Sequence, residues 1–190
     1  MKNKILFISI ASLFILSLFI LQGCRKDDSP ETGTADFNVG LKSSNASRST
    51  YEEINIDILS ASIHTSTDSE ETSGWFELET EAGIYNLLDY VNDHEFIFAA
   101  DPELEVKTVS QIRLILGESN TIVKEGETYD LETPSAQTSG IKVQIHTELQ
   151  PNLTYKVVLD FDSDQSIIET GNDQYKLKPV IKTTVTIVEE

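Results

Sequence analysis

Only one cysteine occurs in 190 residues, so no disulfide can form within the chain. Histidine is almost as scarce. His64, His94 and His146 are the only three, and none has another at metal-ligand spacing, so a zinc site has no support. The nine glycines are scattered singly, and no glycine-rich phosphate loop is present. Basic residues are few: 14 Lys and Arg stand against 32 Asp and Glu, a formal charge of −18. That balance repels phosphates and excludes nucleic acid as a partner. The shortage is uneven. No Lys or Arg occurs from Ser49 to Val106, a stretch holding fifteen Asp and Glu. This acidic half reads as a soluble surface, the alternative being attraction for cations or a basic partner.

What is present at the start of the chain is an address. Lys2 and Lys4 precede an uncharged run, Ile5 to Leu21, that is apolar apart from Ser9, Ser12 and Ser17. The pattern is that of a secretory signal, with a membrane anchor as the rival. The single thiol decides between them. Leu21-Gln22-Gly23-Cys24 resembles a bacterial lipobox, in which cleavage falls before the cysteine and the sulfur takes diacylglycerol. Two or three acyl chains, at about 0.8 kcal/mol per buried methylene, anchor stably. Arg25-Lys26-Asp27-Asp28 follows. Lys26, Asp27 and Asp28 resemble the export signal that sends Bacteroidota-type lipoproteins to the outside of the outer membrane. Ser29 to Ala35 is small and polar, as a flexible spacer should be. The expected organisation is a signal peptide over 1–23, a lipidated tether over 24–35 and one domain over 36–190. Cleavage leaves 12 basic and 32 acidic residues, a charge of −20.

The rest reads as strands. Ile54, Ile56 and Ile58 alternate with polar residues; then Leu59, Ala61 and Ile63 take the apolar parity. One extra residue near Ile58-Leu59 explains the change, which predicts a β-bulge or a strand crossing between sheets. Gly74 to Leu78 and Glu95 to Ala99 are short strands. Ile84, Leu87, Leu88 and Val91 stand at helical spacing and predict one short helix near 84–91. Thr121 to Leu131 is a hairpin turning at Lys124-Glu125-Gly126. Ile141, Val143 and Ile145 form one apolar face, and Tyr155, Val157, Leu159 and Phe161 another. Tyr175, Leu177, Ile181, Val185 and Ile187 share a parity in a long final strand that Pro179 makes an edge or breaks. Many short strands and turns predict an all-β, two-sheet antiparallel sandwich.

Ser139-Gly140-Ile141-Lys142, Leu159-Asp160-Phe161-Asp162, Ser166-Ile167-Ile168 and Leu177-Lys178-Pro179-Val180-Ile181 occur in this order. Together with Gln111-Ile112-Arg113-Leu114 and Leu87-Leu88, they resemble the bacterial lipoprotein domain of the domain-of-unknown-function family numbered four-three-eight-two. The likeness runs from about Phe37 to Ile181. It implies a prealbumin- or immunoglobulin-like β-sandwich and no established activity. Leu41 to Asn45 does not match the family's usual front stretch.

Asp160, Asp162 and Asp164 lie two apart, but Gln165 and Gly171 occupy the EF-hand places for Gly and Glu. A looser calcium site is the weak metal candidate; otherwise Asp160 faces solvent and Asp164 bonds the turn before Ser166. His146 falls on a polar face. Trp75, Tyr85 and Tyr90 form a sugar-stacking platform if exposed and core if not. Catalytic residues and cofactors are not expected. The expected protein is a non-enzymatic binding or structural module of the cell envelope, anchored in the outer membrane through Cys24 and exposed at the surface. Its partner is expected to be an envelope protein or a glycan. The alternative is an adhesin- or fimbria-like subunit assembled by donation of the last strand.

Overall fold

A computed structural model describes residues 33–44, 50–66, 74–92, 94–133 and 139–188. The fold is all-β: two mixed sheets pack as a sandwich, and no barrel closes. The five-stranded sheet runs β14 (Ile181–Val188), β11 (Thr154–Asp162), β1 (Thr34–Ser44), β6 (Phe96–Glu105), β4 (Glu79–Thr80). The nine-stranded sheet runs β10 (Ile141–Glu148), β7 (Thr108–Leu116), β2 (Glu53–Ser66), β8 (Thr121–Lys124), β9 (Glu127–Glu132), β13 (Gln174–Leu177), β12 (Ile167–Gly171). β3 (Gly74–Glu77) and β5 (Gly83–Asn86) also pair with β2.

Alternation builds the core. Phe37, Val39 and Leu41 of β1 and Tyr155, Val157, Leu159 and Phe161 of β11 point inward and are buried. Ile54, Ile56, Ala61, Ile63, Ile112 and Leu114 fill the facing sheet and are fully buried. The phase change in β2 is a bulge: its register against β7 shifts between Ile58 and Ser60. Leu59 is therefore the extra residue, 50% exposed, instead of the first inward residue after the change. The hairpin turns at Glu125-Gly126, both at positive φ (55° and 75°), the conformation of a type I′ turn. Just before that hairpin's first strand, buried Asn120 braces β2. Its Oδ1 accepts from the Asp57 N–H (2.9 Å) and its Nδ2 donates to the Gly117 carbonyl (2.7 Å).

Two expectations change. The sheets are not wholly antiparallel, because β1 pairs parallel with β11 and β13 with β9. The helix near 84–91 shrinks to one 3-10 turn, Leu87–Asp89, that buries Leu87 and Leu88. Ile84 belongs to β5 and is 58% exposed. Asn86 supplies the cap, its Oδ1 accepting from Leu88 N–H (3.1 Å) and also from Ile54 N–H (3.1 Å), which fastens the turn to β2. A second short helix, α1 (Ser163–Ser166), has no apolar period to announce it. The break that Pro179 offered as one of two readings is present: the final run is two strands in two sheets. β13 ends at Leu177, β14 starts at Ile181, and Pro179 sits in the gap where a missing N–H costs no ladder bond.

Candidate functional site

Residues opposite one another on antiparallel strands share a face. Since Ile63, Ile112 and Val143 face the core, their chain neighbours face outward. β3, β2, β7 and β10 then carry two outward rows. One is Trp75, His64, Gln111, Gln144; the other is Glu77, Ser62, Arg113, Lys142. The chain's single tryptophan is thus on a polar face, half-buried.

Cations surround it. The Arg113 guanidinium carbon lies 4.3 Å from the indole centroid and the Lys142 ammonium 5.7 Å, both within cation–π range. His64 meets the indole edge-on, centroids 5.2 Å apart at 73°. Ser110, the extra residue where β7 slips against β2, donates its hydroxyl to the His64 carbonyl (3.1 Å). With that proton so used, the His64 Nδ1–H donates to Ser110 Oγ (3.0 Å), which selects the ring tautomer. Arg113 Nη2 donates to Ser62 Oγ (3.3 Å), while its Nε–H is shielded from solvent and meets no acceptor.

Four of the described lysines make ion pairs, and Lys178 and Lys182 make none among the described residues. Lys107, Lys124, Lys156 and Lys176 pair with Glu105, Glu169, Glu95 and Glu132. Among the described residues, neither Arg113 nor Lys142 pairs with a carboxylate, although acids outnumber bases more than two to one. Glu77 stands on the row but makes no ion pair with Arg113.

The other candidates go elsewhere. Tyr85 and Tyr90 do not join Trp75; they pack with Phe96 and Phe98 (centroids 5.4–6.5 Å). Burial pushes both phenols above the ordinary tyrosine range. Lys124 bridges the Tyr175 hydroxyl and Glu169, both at 3.2 Å, and these hydrogen bonds hold it above the ordinary lysine range. That clamp ties β8 to β12 and β13. A hydrogen bond to Glu127 (2.9 Å) pushes Tyr129 up to about 12.

The three aspartates do not converge. Asp162 is buried and caps α1, its Oδ1 accepting from Gln165 N–H (3.1 Å) and its Oδ2 from the Gln165 amide. Asp162 therefore does the work expected of Asp164, which is exposed. Asp160 does not face solvent freely: it is half-buried between Lys42 and Lys182 across the strands, with its Oδ1 shielded and without a donor. Among the described residues no group of three or more His, Cys, Asp or Glu could hold a metal ion. We expect thermal unfolding with calcium and with a chelator to give the same midpoint; a shift above about 5 °C would mean a real site. Ser43 and Ser163 share a buried hydrogen bond (2.6 Å) and Ser166 Oγ accepts from Val180 N–H (2.9 Å). His94 and His146 are exposed and His64 lies on the outer face. Cys24, Lys26, Asp27, Asp28 and the signal run lie outside the described residues.

Alternation in the sequence does mark Arg113, Gln111, Lys142 and Gln144 as outward. Nothing in it sets Trp75 beside them, because that needs the β2–β3 register.

These features define an all-β sandwich domain with an aromatic, cationic outer face. The chain belongs to the family Domain of unknown function (DUF4382), whose model matches residues 34–179. No curated protein and no solved structure matches it.

Proposed function

We propose that this protein is a lipid-anchored, non-enzymatic binding module of the bacterial cell envelope, held in the outer membrane through Cys24 and exposed at the surface. The observation that carries the binding role is the Trp75 face. An indole left half-open on a polar sheet surface, with two cations over it, is suited to recognition. The anchor rests on Leu21-Gln22-Gly23-Cys24 and the surface address on Lys26-Asp27-Asp28. Ten residues from Cys24 to Thr34 span at most about 35 Å, so the domain stays near the bilayer.

Labelling with a palmitate analogue tests the anchor. Cys24→Ala should abolish the label and leave unprocessed chain. Replacing Lys26, Asp27 and Asp28 together by Ala should keep the label and the fold, since a solvated tether adds little stability. That variant should lose cleavage by protease added outside intact cells. Equal shaving of wild type and triple variant would remove the surface address and leave the anchor.

A second reading, assembly through strand exchange, has its own observation. β14 is a sheet edge, with Val185, Ile187 and Val188 exposed at 37%, 51% and 43%. A larger species on size exclusion that disappears on Val185→Lys would favour it.

A further inference from the structure

We infer that the Trp75 face binds an acidic sugar: its carboxylate is held by Arg113 and Lys142, and its ring packs beside the indole, one face of which the Arg113 guanidinium covers. This rests on the binding role above and names its ligand class. An indole face is negative and a pyranose C–H face positive, so the indole surface that Arg113 leaves uncovered suits contact with a sugar ring. Gln111 and Gln144 continue the row beyond His64, and each amide offers both a donor and an acceptor to a hydroxyl pair. An anion suits the two cations, which have no carboxylate partner among the described residues. The Arg113 guanidinium has one hydrogen bond, to Ser62, and a fork geometry matched to carboxylate. Lys142 is exposed and has no partner besides the indole among the described residues. Net charge cannot supply the attraction, because the chain as a whole is at −18; any binding of an anion must be local to this face.

Position bears on the source. The Val106 N–H donates to the Gly33 carbonyl (2.9 Å) and Leu149 N–H to Lys107 (3.2 Å). Ser66 pairs Thr108, and Thr65 pairs Gly74, one residue before Trp75. The face therefore lies toward the end of the sandwich where the tether enters. Acidic sugar can reach it either as free polysaccharide or as the headgroup of a membrane glycolipid.

Trp75 is the only tryptophan, so the emission of the full chain, purified in a non-ionic detergent, reports this face alone. Oligogalacturonate should change that emission saturably, and its uncharged methyl ester should bind at least about tenfold more weakly, equivalent to about 1.4 kcal/mol. Lys142→Gln, an exposed change with an unaltered melting curve, should bring the acid down to the level of the ester and leave the ester unchanged. Phosphatidylcholine vesicles with and without glucuronosyl diacylglycerol separate the sources. Retention by the doped vesicles alone assigns a headgroup, and response to the free oligomer alone assigns soluble glycan. Equal binding of acid and ester, indifferent to Lys142→Gln, overturns the acidic class. Silence toward all these probes overturns the inference. Capture of an envelope component that is lost on Trp75→Ala would then keep the binding role, and capture indifferent to Trp75→Ala would remove that role as well.

Discussion

Leu159→Ala lowers the unfolding free energy by about 2–5 kcal/mol, the range for a truncated buried leucine. Leu159 is fully buried in β11, the strand flanked by β1 on one side and β14 on the other. Its cross-strand neighbours are Leu41 and Thr183. The parallel partner β1 is itself fastened to β6, so the walls of the new cavity belong to a braced layer and collapse little. A loss of that size is a large share of the roughly 5–15 kcal/mol that holds a typical domain. His146→Ala should change stability by less than about 0.5 kcal/mol, because its side chain is exposed on β10. Urea melts of both variants are the check, read as midpoint shifts at constant slope. The reverse order would mean that the inner and outer faces of these strands had been exchanged.

Gly140→Ala should cost about 2–4 kcal/mol, combining strain at positive φ with overpacking. Gly140 has φ +74°, and an added Cβ would come within 2.6 Å of Arg113 Cγ, 2.8 Å of Ile115 Cδ1 and 2.8 Å of the Leu114 carbonyl oxygen. The carbonyl cannot retreat, since Leu114 is held in the β7–β10 ladder opposite Ile141. Arg113 would have to give, and it is the group stacked on Trp75. The same variant should therefore shift the tryptophan emission of the folded protein. A stable Gly140→Ala with unchanged emission would mean that this residue does not support the face.

The link between Gly140 and Trp75 illustrates why the face was hard to read from residues in order. Trp75 is on a four-residue strand after a polar stretch, and strand tryptophans normally fill cores. Its surroundings come from β2, β7 and β10, up to 67 positions away at Lys142. Only the register His64 opposite Trp75 and Ser62 opposite Arg113 assembles them. Asp160 makes the same point in the other direction. Alternation puts it on the outer side of β11, correctly, yet between β1 and β14 its Oδ1 is shielded from solvent.

By itself, the sequence determined what depends on neighbours along the chain. The period of two set the inward faces of β2, β7, β10 and β11, because a side chain in an extended strand has only two directions. A single change of parity located the bulge near Ile58-Leu59, Lys124-Glu125-Gly126 located the hairpin turn, and Pro179 marked an edge or a break before β14. The tertiary structure alone decided what depends on partners far off. β1 lies parallel to β11, with Asp36 opposite Thr154, and no local pattern encodes the direction of a strand 118 residues away. The helical spacing of Ile84, Leu87, Leu88 and Val91 yielded to the pairing of β5 with β2, which satisfies more backbone groups than one short helix could. The site followed the same rule: outward polarity is a local property, whereas placing two cations on one indole is a matter of register.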